Sequence, residues 1–247
     1  MKGMMKKLIS VCVGICIISL LVAPAQANSQ KKHPRYAPES FVDANGLPFP
    51  IDNQYWPLTP GTTFIYETDD GSERNEVYVS HDTRAVAGVT CVVVEDRAWE
   101  DDLLVEYTID WYAQDKKGNV WYFGEASEQY QYDDEGTLIA TTTEGSWKAG
   151  VDGAEPGILM LARPRPGKSY LQEYYEDVAE DMAKVLRLNA YVSIDYGDFE
   201  NCLMTKEWSP LEPGVIEHKY YAPGVGLVLI RELQEKTRVE LIDIATE

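Results

Sequence analysis

From Trp56 onward the chain is built of short runs of β-branched, aromatic and alternating apolar residues, each closed by a turn signal. Trp56-Pro57-Leu58-Thr59-Pro60-Gly61 ends in a Pro-Gly turn and feeds Thr62 to Thr68. Asp69-Asp70-Gly71-Ser72 then closes a hairpin, and Glu76 to His81 returns. The same grammar continues. Ala87-Gly88 precedes Thr90 to Glu95, and Glu100-Asp101-Asp102 precedes Leu103 to Tyr112. Ala113 to Asn119 turns the chain into Val120 to Glu125, and Asp133-Asp134-Glu135-Gly136 marks another turn. Strands about 10 residues apart with a turn between each predict a mainly β fold, an antiparallel sheet, sandwich or barrel.

Residues 144–168 break this rhythm, because eight glycines and prolines between Gly145 and Gly167 leave little room for a regular element. The next segment is ambiguous. Leu171, Tyr174, Tyr175, Val178, Met182, Val185 and Leu186 recur at helical spacing, opposite Glu173, Glu176, Asp177, Glu180, Asp181 and Lys184, which on its own predicts an amphipathic helix. Strand patterns return at Ala190 to Tyr196, Phe199 to Trp208, Val215 to Tyr221, Leu227 to Leu233 and Thr237 to Ile244.

Two stretches of this tail carry a resemblance: Tyr191 to Cys202, with its Gly197-Asp198-Phe199 turn, and Tyr220-Tyr221-Ala222-Pro223-Gly224-Val225-Gly226-Leu227-Val228. Together with Trp121 to Glu125 and the opening Pro57 to Gly61, they resemble a family of uncharacterised bacterial exported proteins. In these a strand ends in a Gly-x-Phe turn and a later one reads Tyr-Ala-x-Gly-Val-Gly-Leu-Val. The resemblance implies a strongly curved antiparallel sheet, a half-open barrel similar in style to lipoprotein carriers. It implies no activity, and it favours strand over helix for part of residues 170–188.

The first 27 residues read as a signal peptide. Lys2, Lys6 and Lys7 form a basic start, Leu8 to Val22 an apolar core too short to cross a bilayer, and Ala25-Gln26-Ala27 a cleavage site. Cys12 and Cys16 lack the small residues a lipid-attachment site requires. The expected organisation is a signal peptide over 1–27, a proline-bearing extended leader over 28–54, and one antiparallel β domain over 55–247. The expected location is secreted or periplasmic, with no transmembrane segment in the mature chain. Export would allow Cys91 and Cys202 to form a disulfide, and a bridge closing so long a loop would contribute roughly 4 to 5 kcal/mol. Two buried free thiols are the alternative.

Charge and motifs narrow the chemistry. Cleavage would leave 19 basic residues against 41 acidic ones, a field that repels nucleic acid and anionic polymers. Gly167-Lys168-Ser169 lacks the first glycine of a phosphate loop, and Gly224-Val225-Gly226 lacks the third glycine of a dinucleotide turn. Serine-hydrolase elbows and zinc-protease pairs are absent, and His33, His81 and His218 are scattered, so no cofactor and no metal is expected. The Asp69-Asp70, Asp101-Asp102 and Asp133-Asp134 pairs fit turn chemistry better than calcium loops.

Aromatic residues crowd the centre, where Trp111 with Trp121, and Tyr112 with Tyr122, are expected to meet across two strands. Trp111, Trp121 and Tyr122 are therefore the candidate ligand-binding residues. The reading is a non-enzymatic module that holds an apolar or aromatic small molecule on a concave sheet, or docks an envelope protein. A carboxylate-based hydrolase of a wall or extracellular polymer and a structural surface protein remain alternatives.

Overall fold

The computed structural model describes residues 33–247, so the expected signal peptide lies outside the described residues. A 3-10 turn at Pro38–Ser40 is followed by β1 (Ile51–Asn53), β2 (Trp56–Leu58), β3 (Thr62–Thr68), β4 (Glu73–Val86), β5 (Val89–Glu100), β6 (Leu103–Gln114) and β7 (Val120–Tyr132). Then come β8 (Leu138–Thr142), β9 (Trp147–Lys148), β10 (Glu155–Met160), β11 (Ser169–Leu171) and β12 (Glu173–Tyr174). The chain ends in β13 (Met182–Ile194), β14 (Gly197–Trp208), β15 (Glu217–Ala222), β16 (Gly226–Glu232) and β17 (Arg238–Thr246). Among the described residues there is no α-helix.

β1 and β2 form a hairpin of their own, and the other 15 strands form one sheet in the order β11-β13-β14-β15-β16-β17-β3-β4-β5-β6-β7-β10-β12, with β8 and β9 also paired to β7. Every pairing is antiparallel, as the turn-punctuated pattern predicts. The two ends of this order, β11 and β12, are consecutive in the chain around Gln172. The sheet thus curls into a nearly closed barrel. Gly157 makes the seam possible: a Cβ there would stand 2.2 Å from the backbone carbonyl carbon of Gln172, so only glycine lets β10 approach this closely.

The strand alternation sorts residues onto two faces. Trp56 from the small hairpin reaches into the barrel, its ring 6.2 Å from Tyr112 on β6 and 5.8 Å from Tyr221 on β15. The inner face is thereby identified. On the outer face, Tyr36 and Phe41 from the start of the described chain cover Trp121 and Phe123, with ring centroids 5.4 to 6.3 Å apart. This part of the leader is packed against the sheet.

The helical reading of residues 170–188 gives way to strands. Asp177 adopts a left-handed φ of 59° in a turn closed by the Tyr175 N–H donating to the Ala179 carbonyl at 2.6 Å, which interrupts any helix. Ala183 and Val185 then point inward from β13 while Lys184 points outward, the two-residue alternation of a strand.

The expected disulfide is not present: Cys91 and Cys202 are buried free thiols. Cys91 lies in β5 and Cys202 in β14, with β15, β16, β17, β3 and β4 between them in the sheet. Neighbouring strands are about 4.8 Å apart, so the order of pairing, which the sequence does not reveal, separates them. The acidic turns follow ordinary turn chemistry. Asp133 Oδ1 accepts from the Thr137 N–H at 2.8 Å, and Asp70 Oδ1 accepts from the Ser72 hydroxyl at 2.6 Å.

Candidate functional site

The three aromatic candidates do not share a surface. Tyr122 points into the barrel, opposite Tyr112, and the two phenol rings stack at 4.8 Å. Trp121 points outward beneath Tyr36 and Phe41, and its indole N–H donates to Asp115 Oδ2 at 2.9 Å. Trp111 is also outward, but the register that pairs Tyr112 with Tyr122 sets Trp121 opposite Ala113 and not Trp111. Arg84 lies over the Trp111 ring at 4.5 Å. All three are buried, with exposures of 2% for Trp111, 4% for Trp121 and 0% for Tyr122.

What surrounds Tyr122 is acidic. Its hydroxyl lies 2.5 Å from Asp110 Oδ1 and 2.9 Å from Glu125 Oε2. A phenol has one proton and can donate to only one of them. Burial, reinforced by the Glu173, Asp110 and Glu106 carboxylates, pushes the Glu125 carboxyl well above the ordinary range. Glu106, on the same strand β6 as Asp110, is pushed up to about 8 by burial, with Asp96 and Asp110 adding to the effect against a bond from the Thr108 hydroxyl.

Backbone irregularities place these groups. Gly124 carries a φ of 122°, and a Cβ there would be 2.4 Å from the Trp147 carbonyl, so glycine alone lets β9 dock on β7. The Trp147 indole N–H, brought inward by that contact, donates to Glu173 Oε2 at 3.0 Å. Glu173, on the seam strand β12, has its own carboxyl raised well above normal by burial, with Asp181 adding to the effect.

Glu173 also senses Lys219, which links this cluster to a second one on the other wall. The Lys219 ammonium lies 3.2 Å from Glu217 and 3.4 Å from Glu207. Burial disfavours that charge, but the Glu217 and Glu207 carboxylates outweigh it and hold the lysine pKa above its usual value. Glu207 Oε1 also accepts from the hydroxyls of Tyr221 and Thr205, each at 2.7 Å. The barrel interior therefore holds clusters of hydrogen-bonded carboxyls and phenols and a paired lysine, buried from solvent: Asp110 is 0%, Glu173 1% and Glu125 3% exposed.

The outer face of β13 to β16 is open by comparison. A recess of about 170 Å³ lies there, bordered by Arg187, Tyr191, Ser193, Tyr220 and Arg231. His218, half-buried beside it, has its pKa lowered by burial and by the positive charges of Lys206, Arg231 and Arg187. The sequence alone pointed to His218 only as a scattered histidine, since strand register is what brings these cations around it.

No family model and no curated protein matches the chain. Two crystal structures are similar in shape. One, from Bacteroides fragilis, is described as that of an exported protein with a YmcC-like fold; it shares 14% identity and a TM-score of 0.45 over 78% of this chain and 99% of its own. The other, described as a lipoprotein from Parabacteroides distasonis, shares 11% identity and a TM-score of 0.41 over 77% of this chain and 98% of its own. Likenesses this distant carry no inference about function.

Proposed function

We propose that the protein is an exported, non-enzymatic binding module that engages its ligand through the outer face of β13 to β16 and uses the barrel interior as a sealed support. Export rests on the Lys-rich start, the apolar core and the Ala25-Gln26-Ala27 site of the first 27 residues. The observation that carries the binding reading is the sealing of the inner carboxyls. A glycosidase needs two carboxyl groups facing a substrate-sized gap, whereas the Tyr122 phenol fills the space between Asp110 and Glu125. The recess lined by Arg187 and Arg231, by contrast, opens to solvent with charged groups at its edge. An apolar ligand among the inner carboxyls would strip them of partners at a cost of about 1 to 3 kcal/mol for each group left unpaired.

The test is native mass spectrometry and heteronuclear NMR with a panel of glycans, wall fragments, small anions and fatty acids, with products assayed in parallel. Binding without turnover, with shifts in β13, β15 and β16, is the expected result. Hydrolysis of any panel member that is lost in Glu125→Gln would refute it.

A further inference from the structure

The outer recess adjoins a row of basic residues that crosses five consecutive strands. Lys184 on β13 lies directly opposite Lys206 on β14, Lys206 opposite His218 on β15, His218 opposite Arg231 on β16, and Arg231 opposite Arg238 on β17. Four strand spacings of about 4.8 Å give this row a length of roughly 19 Å. Arg187, next to the row on β13, lines the recess with Arg231. All of this occurs in a chain with 41 acidic and only 22 basic residues.

Like charges placed directly opposite across strands are destabilising, so such a row is an arrangement that folding alone does not favour. Two arginines elsewhere on the sheet have acidic companions: Arg97 lies 2.6 Å from Glu95 and Arg74 3.2 Å from Glu76. Arg238, at the end of the row, is likewise paired with Glu240. Among the described residues, Lys184, Arg187, Lys206 and Arg231 make no salt bridge. Aromatic and sulfur atoms hold the last three in place instead. Lys206 lies 5.0 Å over Trp208, Arg231 5.8 Å over Tyr220, and the Arg187 Nε–H points at Met204 Sδ from 3.2 Å. Their charged ends are thus positioned without being neutralised.

We infer that this recess is a binding site for the oxyanion group of a small soluble ligand, a phosphoryl, sulfate or carboxylate group held between Arg187 and Arg231. Planar guanidinium groups match such oxygens with paired hydrogen bonds. The volume of about 170 Å³ holds several non-hydrogen atoms, since a liquid water takes up about 30 Å³. Ser193 and Tyr191 border the same space, with their hydroxyls hydrogen-bonded to the Asp198 carboxylate. A soluble ligand fits better than an anionic membrane, because the formal net charge of −19 repels an extended negative surface while a small group can enter the local positive field. The inference rests on the outer-face binding reading and names the ligand chemistry for that face.

The experiment titrates the folded protein with sodium sulfate, phosphate and acetate at constant ionic strength, with chloride as the reference ion, and follows amide and His218 imidazole signals by NMR. Saturable shifts clustered on β13, β15 and β16 are expected with at least one oxyanion, together with titration of His218 at higher pH when sulfate is bound. Arg187→Gln and Arg231→Gln should each weaken binding roughly tenfold, as expected for loss of one charge-assisted contact, while Arg97→Gln leaves it unchanged. Equal weakening by Arg97→Gln, or no saturable shift with any of the three anions, would overturn the proposal. If another ligand class still occupies the recess in that case, the binding reading survives and only its anionic chemistry fails. Cosedimentation with phosphatidylglycerol vesicles that Arg231→Gln abolishes would overturn the assignment to a soluble ligand.

Discussion

Substituting Glu106 by glutamine should make the protein more stable at neutral pH, against the usual consequence of altering a buried residue. The Glu106 carboxyl releases its proton near 4.5 in the unfolded chain and only at about 8 in the fold, where burial dominates. Between these values the folded state binds the extra proton, so stability falls as pH rises, by about 1.4 kcal/mol per pH unit. Below pH 4.5 both states are protonated and nothing is lost; by pH 8 the accumulated cost is roughly 5 kcal/mol. Glutamine keeps the shape and an oxygen to accept the 2.8 Å bond from the Thr108 hydroxyl, and it does not titrate. Its amide hydrogens would face the Asp96 and Asp110 carboxylates that now raise the Glu106 pKa.

Urea unfolding of both proteins at pH 5, 6 and 7 measures the effect. The stability difference between them should change by about 3 kcal/mol from pH 5 to pH 7, in favour of Glu106→Gln as pH rises. Because the general charge repulsion of the chain is common to both, the comparison isolates this one proton. Parallel pH profiles, or a variant that loses ground toward pH 7, would refute the trapped-proton account.

Gly124→Ala should cost about 2 to 4 kcal/mol in thermal or urea unfolding, since the new Cβ meets the Trp147 carbonyl and the φ of 122° is unfavourable for alanine. Trp121→Ala should destabilise by roughly 3 to 5 kcal/mol through loss of its packing under Tyr36 and Phe41, without altering anion titration of the outer recess. Cys91 and Cys202, whose thiols burial pushes up to about 12 and about 11, should resist a thiol reagent at pH 8 in the folded protein and react on denaturation.

The strands and turns were legible in the sequence because local rules govern them. Thr62, Phe64, Tyr66 and Thr68 alternate inward along β3 as the pattern predicts, and the aspartate turns bond their own backbones. The interior was not legible, for a physical reason. In β6, Glu106, Thr108 and Asp110 point into the barrel while Ile109 and Trp111 point out, reversing the usual assignment of polar residues to solvent. That reversal is stable only because the inner carboxyls satisfy one another with phenols and retained protons, and because the leader covers Trp121 and Phe123 outside. Neither condition has a local signature. The basic row escapes a linear reading in the same way: Lys206, His218, Arg231 and Arg238 become neighbours only through strand register. The aromatic trio failed to converge because Trp121 and Tyr122, adjacent along β7, point to opposite faces, and the register that pairs Tyr112 with Tyr122 sets Trp121 against Ala113.

The claim that ligands act on the outside of a sealed barrel is tested most directly by amide shift mapping of the folded protein with the ligand panel. The account predicts perturbations centred on Arg187, Ser193, Tyr220 and Arg231, with Tyr122, Glu125 and Glu173 unmoved. Shifts centred on Tyr122, Glu125 and Glu173, with the outer recess silent, would contradict it.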